Sequence, residues 1–140
     1  MENNLQKSSA HFDYEQMTQV VTNLIKNAVE AMPAGGTIRI IMDDDMNDIF
    51  FTIQDNGSGI KSDDQEKVFE PFFTTKSLGQ GTGLGLATAY GIVKMHKGQI
   101  TLTSNANAEA GPTGTSFRIQ LPRVNEEIGN NLMHDKYNEL

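Results

Sequence analysis

The tightest constraint on how this chain folds is a run of alternating glycines, Gly79-Gln80-Gly81-Thr82-Gly83-Leu84-Gly85-Leu86, that leads straight into a helical pattern. Leu84, Leu86, Tyr90 and Val93 continue the apolar spacing, which speaks against a flexible linker and predicts a helix over Gly83–His96. With no Cβ in the way, backbone N–H groups in such a run can approach a ligand closely. The helix start adds partial positive charge, and together they make an anion site suited to phosphate. The run is not a Walker A loop, because no Gly-Lys-Ser/Thr follows. It is not a dinucleotide fingerprint either, because no strand of a parallel βαβ unit leads into it.

The rest of the chain supplies a simple element order. Met17, Val20, Val21, Leu24, Ile25, Ala28, Val29 and Met32 recur at spacings of three and four, so a helix is expected over Asp13–Met32, with Asp13 as N-cap and Pro33 as its stop. Thr37–Met42 and Ile49–Asp55 read as strands, joined by a solvated hairpin loop, Asp43-Asp44-Asp45-Met46-Asn47-Asp48. Those carboxylates lack the spacing of a calcium loop, although a hard cation remains an alternative. A short helix near Asp63–Val68 precedes the glycines. Gln99–Ser104 and Thr115–Leu121 read as two more strands around a polar loop holding Gly111-Pro112. Residues 1–12 are polar and expected to be frayed, 13–122 form the globular domain, and 123–140 form a polar tail. Strands adjacent in sequence pair as antiparallel hairpins. The expected fold is therefore α+β, a two-layer sandwich with a mixed, mostly antiparallel sheet and helices on one face.

Composition narrows the partners. The 140 residues carry 18 acidic and 11 basic side chains, net −7, which argues against nucleic acid or an anionic membrane surface. An anionic small molecule needs only local positive potential and stays open. The absence of cysteine excludes disulfides, thiolate nucleophiles and cysteine-ligated metals. Met1-Glu2-Asn3-Asn4 lacks the order of a signal peptide, so a cytosolic domain is the default.

Several residues break their local pattern. Asn23, Asn27 and Glu30 fall within roughly 60° of one another on the first helix, beside the apolar stripe. Asparagine is a mediocre mid-helix residue, but two amide oxygens one turn apart suit Mg²⁺ without adding negative charge beside phosphates. Two asparagines on a wet helix face are the plainer alternative. Ile49, Phe51, Ile53 and Asp55 share one strand face, so a carboxylate ends an apolar row. An exocyclic amine would satisfy it. A cap on the turn Asn56-Gly57 would satisfy it too. Asp55-Asn56-Gly57-Ser58-Gly59-Ile60 spaces two glycines for close backbone approach or for a bulged turn. Phe69, Phe72 and Phe73 need burial, either in the core or as a hinge patch, and Lys76 is placed to offer charge to a phosphate. Thr115 puts a hydroxyl on the core face of the last strand, or it is an ordinary strand residue.

In this order the pieces resemble the ATP-binding catalytic domain of sensor histidine kinases, within the GHKL (Bergerat-fold) ATPase superfamily. Asn23-Leu24-Ile25-Lys26-Asn27-Ala28 is similar to the N box. Asp55-Asn56-Gly57-Ser58-Gly59-Ile60 resembles the first glycine box and Phe69-Glu70-Pro71-Phe72 the F box. Gly81-Thr82-Gly83-Leu84-Gly85-Leu86 resembles the second glycine box and Gly114-Thr115-Ser116-Phe117 the closing Gly-Thr strand. The likeness covers about residues 13–122, and Phe69–Lys76 looks most like kinases of the nitrogen-regulatory and sporulation type.

The resemblance implies ATP and Mg²⁺ as cofactors. Asp55 would accept the adenine amino group, with Thr115 completing that contact and Gly57, Gly59 and Ile60 shaping the wall. Asn27 would ligate Mg²⁺. Asn23 would stand beside the triphosphate and help hold the ion or orient the γ-phosphate, which makes Asn23 and Asn27 the catalytic pair. Lys26 and Lys76 would screen phosphate charge. The phosphates would lie on the segment Gly81, Thr82, Gly83, Leu84, Gly85 and Leu86, and residues 74–81 would form the lid. Lys97 stands where many members have a small residue, a difference expected at the surface.

One departure matters. None of His11, His96 and His134 sits in a His-Glu-x-x-x-Pro motif, so the phosphoacceptor is expected on a separate dimerisation domain of a longer kinase. A response regulator would be the indirect downstream partner. The isolated domain is expected to be monomeric, either in the cytoplasm or as the cytoplasmic part of a membrane-bound sensor. Two alternatives remain: an anti-sigma-type serine kinase or other GHKL ATPase, and a degenerate scaffold that only binds a partner. The glutamate base expected of gyrase- or chaperone-type enzymes is absent at position 23.

Overall fold

The structure, a computed structural model, describes residues 2–3, 13–75 and 83–123. Its elements run β1 (Glu2–Asn3), α1 (Tyr14–Glu30), β2 (Ile38–Asp44), β3 (Asp48–Asp55), α2 (Ser62–Gln65), α3 (Gly85–Met95), β4 (Gln99–Asn105) and β5 (Gly114–Pro122). The sheet order is β1-β2-β3-β5-β4. β1 pairs parallel to β2, and every other pair is antiparallel. The α+β sandwich expected from the sequence is therefore present.

α1 begins where Asp13 turns its carboxylate onto the helix, accepting the Gln16 N–H at 3.0 Å. It buries Met17, Val20, Leu24 and Ala28, with Val21 and Ile25 packed at the margin. Val29, counted in the stripe from sequence, is 55% exposed, so the buried face is narrower than the apolar pattern. From α3 it is Ala89, Ile92 and Val93 that are buried, while Leu84 and Tyr90 stay partly exposed. Both helices rest on one face of the sheet, against Ile53, Ile100, Phe117, Ile119 and Leu121. Burying each such side chain is worth about 1.5–3 kcal/mol. The three loop phenylalanines divide: Phe69 packs 5.3 Å from the Tyr90 ring and 6.1 Å from Phe117, Phe73 is half-buried, and Phe72 is exposed.

Three expectations shift. Residues 2–3, expected to be frayed, add a short edge strand opposite Ile41 and Met42. The short helix near 63–68 occupies only Ser62–Gln65 before giving way to turns. The acidic hairpin loop is three residues long, because Asp43, Asp44 and Asp48 lie in the strands. Asp45 closes it by accepting the N–H groups of Asn47 at 2.8 Å and Asp48 at 2.7 Å. Those two bonds hold the Asp45 carboxyl below its ordinary value. Asp43 meets Arg118 at 3.4 Å, and Asp44 meets Arg123 at 3.7 Å. The carboxylates are thus spread over two strand faces, and among the described residues no acidic or histidine cluster is arranged for a metal.

α3 ends in a Schellman motif. Gly98 N–H reaches Val93 O at 2.9 Å and Lys97 N–H reaches Lys94 O at 3.0 Å. Lys97 occupies the left-handed position, at φ 59°, that glycine fills most cheaply. The C-cap His96 then ties the two helices together. Its Nε2 accepts the Asp13 N–H at 2.9 Å, so Nδ1 carries the proton and donates to Ile92 O at 2.7 Å.

Candidate functional site

Asp55 ends β3 with its side chain on the helix-facing side, and 6% of the residue is exposed. Its Oδ1 accepts the N–H of Gly57 at 2.8 Å and of Thr115 at 3.3 Å. Its Oδ2 takes no hydrogen bond among the described residues, yet it is not sealed from solvent. The carboxylate thus caps its own turn with one oxygen and keeps the other for something else. Asp55 pairs with Thr115 across β3–β5, and Thr115 pairs with Ser104 across β5–β4. Three polar side chains therefore form one row across the end of the sheet, just beyond the apolar core.

The turn after Asp55 is fastened on both sides. Gly57 lies so close to α1 that a Cβ there would stand 2.6 Å from Ala31 O, and Ser58 N–H donates to that same carbonyl at 3.1 Å. This satisfies one of the orphan carbonyls at the helix end. Gly59, at φ 76°, presses on the Asn105 backbone, where a Cβ would come within 2.0 Å of the carbonyl oxygen. Ile60 packs on the core and donates its N–H to Ser104 Oγ at 2.7 Å.

On α1, the Asn23 Nδ2 donates to Gly85 O at 3.1 Å, across 62 positions of sequence. Asn27 stands on the same helix face, about 6 Å nearer the Ala31 end where the Asp55 turn is docked. Both asparagines are half-buried and Lys26 is exposed. The N-box face of α1 therefore bridges the glycine-led start of α3 and the Asp55 turn. Leu84 provides no side-chain cap for α3, which leaves first-turn N–H groups to be satisfied from outside the helix. Leu86 packs against the core.

Gly83 fastens the Phe72 turn to the start of α3. At φ 70° it packs on the Phe72 backbone, where a Cβ would lie 2.4 Å from the carbonyl carbon, and its own carbonyl accepts the Phe72 N–H at 3.0 Å. Gly85, by contrast, would leave a Cβ at ordinary contact, 3.8 Å from Asn23 Cγ. Lys76, Gly81 and Thr82, and most of the expected lid, lie outside the described residues. A cleft of about 540 Å³ opens at this end of the sheet, and Asp55, Ser104 and Thr115 line it together with Arg39, Gln54 and Thr103.

Sequence reasoning missed Ser104 and Gln65. Ser104 Oγ contacts Gly114 O at 3.0 Å and Thr115 Oγ1 at 2.8 Å, while Gln65 Nε2 donates to Ile60 O at 2.9 Å and Ser104 O at 3.2 Å. The signal for Ser104 was available: it ends the row Ile100, Leu102, Ser104 just as Asp55 ends its own.

Known proteins resemble this chain over most of its length. Sporulation kinase A of Bacillus subtilis (strain 168) is 42% identical over 111 residues, covering 79% of this chain and 17% of that protein. Sensor kinase CckA of Brucella abortus (strain 2308) is 42% identical over 130 residues, covering 82% of this chain and 13% of that protein. The chain thus spans under a fifth of the length of these two curated relatives. Among solved structures, a mycobacterial sensor histidine kinase, MprB, matches with a TM-score of 0.74 at 30% identity, covering 87% of this chain and 82% of that one. Residues 12–125 match the model of the histidine kinase-, DNA gyrase B-, and HSP90-like ATPases, and the chain belongs to that family.

Proposed function

We propose that this chain is the ATP-binding catalytic domain of a two-component sensor histidine kinase, passing the γ-phosphoryl group of ATP to a histidine on a separate dimerisation domain. The observation that carries the reading is the convergence on α1: the Asn23–Gly85 bond joins it to the start of α3, and the Ser58–Ala31 bond joins it to the Asp55 turn. A base, a polyphosphate and a metal need those three elements side by side.

In this reading the open Asp55 oxygen accepts the adenine amino group, with Thr115 beside it. An acceptor-only carboxylate suits a donor and repels a carbonyl at the same place. The N–H groups at the start of α3, with the preceding glycines, take the phosphates. Lys26 and Lys76 screen their charge. Asn23 fixes the position of α3 through its Nδ2, and its Oδ1, an acceptor, would help to hold the Mg²⁺ ion beside the triphosphate.

The donor set also fits Mg²⁺. No cluster of three acidic or histidine side chains is arranged for a metal among the described residues, and Mg²⁺ is commonly held by one or two protein oxygens together with substrate phosphates and water. Asn27 would hold it through its amide oxygen. When bound, the ion supplies charge neutralisation at the phosphates.

The protein's contribution is positioning and preorganised electrostatics. The nucleophile comes from elsewhere. His96 has both ring nitrogens engaged in tying α3 to α1, which supports an external phosphoacceptor. A response regulator would receive the phosphoryl group next, and a cytoplasmic location follows from the need for ATP.

Labelled ATP with a helical domain bearing a His-Glu phosphoacceptor motif tests the reading. Acid-labile, base-stable phosphate on the acceptor is expected. Acid-stable phosphate would instead mark a serine kinase of the anti-sigma type, and no ATP binding at all would mark a scaffold.

A further inference from the structure

Ser104 lies one strand beyond Thr115, and its hydroxyl meets three groups at once: Ile60 N–H at 2.7 Å, Gly114 O at 3.0 Å and Thr115 Oγ1 at 2.8 Å. Their polarity can be worked out. A backbone N–H only donates and a carbonyl only accepts. Ser104 therefore spends one lone pair on Ile60, and its single proton has two candidate acceptors. If that proton goes to Thr115, the contact with Gly114 O is no longer a hydrogen bond. If it goes to Gly114 O, the remaining Ser104 lone pair accepts the Thr115 proton and all three contacts are satisfied together. In a half-buried network the fully satisfied arrangement is favoured. Thr115 then donates to Ser104 and shows only lone pairs to everything else.

We propose that Ser104 is a positioning residue that turns the Thr115 hydroxyl into a pure acceptor beside Asp55, so that the base end of the site rejects purines carrying a carbonyl in place of the adenine amino group. This rests on the proposed nucleotide-binding function. Asp55 is acceptor-only by its charge. Thr115 becomes so through its neighbour, and Gln65 and Ile60 hold that neighbour's strand end and the turn in register. Two acceptors side by side match an amino group. A 6-carbonyl there faces two sets of lone pairs. Without the Ser104 oxygen, Thr115 can rotate its proton into the site and greet the carbonyl.

The test is calorimetric titration of the 140-residue chain with Mg·ATP and Mg·ITP, whose bases differ in the 6-substituent, amino against carbonyl, and in the proton that N1 carries only beside the carbonyl. In Ser104→Ala the preference for ATP over ITP should fall roughly 5- to 10-fold relative to wild type, the scale of one hydrogen bond reversed. Ser104→Thr, which keeps a hydroxyl, should restore the preference. In a Thr115→Val background, Ser104→Ala should leave the ratio unmoved. A ratio unchanged by Ser104→Ala while ATP still binds, or one changed equally with and without the Thr115 hydroxyl, overturns the role of Ser104 alone. Failure of the wild type to bind ATP overturns the nucleotide reading beneath it. Thermal melts of each variant separate loss of folding from loss of discrimination, and the Ser104→Thr comparison decides the matter if Ser104→Ala does not fold.

Discussion

The Asn23 side chain reaches across from α1 to the first residue of α3, its Nδ2 donating to the Gly85 carbonyl at 3.1 Å. A mid-helix asparagine is a poor choice for helix stability alone, and this bond shows what it does instead: it sets where the glycine-led helix begins relative to Asn27. Asn23→Asp keeps the shape but removes the donor and aims an oxygen at a carbonyl. It should cost about 1–3 kcal/mol of stability, read by chemical denaturation. Amide exchange should quicken at residues 85–88. An Asp variant as stable as wild type would show that the contact contributes nothing.

Asn27 is the side chain assigned to the metal. In Asn27→Ala, nucleotide affinity measured with Mg²⁺ should fall at least tenfold, while affinity measured in chelator should change little. Equal losses in the two conditions would remove the metal assignment and leave Asn27 as a packing residue.

Lys97 sits at the left-handed position of the α3 Schellman motif, with φ 59°. The backbone needs glycine there more than it needs a charge. Lys97→Gly should stabilise the domain by about 0.5–1 kcal/mol, seen as a higher melting temperature with unchanged ATP affinity. A lower melting temperature would mean that the Lys97 side chain makes a contribution larger than the strain it imposes.

Much of this architecture was legible because it is periodic. The three-and-four spacing on α1 and the alternation ending in Asp55 and Thr115 each expose one face, and those faces meet in the core. Non-local features did not show. β1 is two residues long and exists only through pairing with Ile41 and Met42, which no local pattern announces. The boundary of the acidic hairpin is not legible locally, because Arg118 and Arg123, remote in sequence, let aspartates sit in strands. Val29 and Leu84 are apolar yet exposed, since periodicity gives a stripe but not its width. At the site, Asp55 and Thr115 stood out as polar residues closing apolar rows. Ser104 followed the same rule, but its meaning depends on three partners that only strand register brings together.

The most direct measurement is a calorimetric titration of Mg·ATP into the wild-type chain and into Asp55→Asn, with circular dichroism of both. The amide should disrupt the acceptor-only end of the site by offering a donor to the Thr115 and Gly57 N–H groups or to the base. Saturable binding by the wild type, and loss of at least 100-fold in affinity by a still-folded Asp55→Asn, is the expected result. Equal ATP affinity in the two folded proteins would contradict the assignment of Asp55 to the base, and with it the geometry on which the proposed function stands.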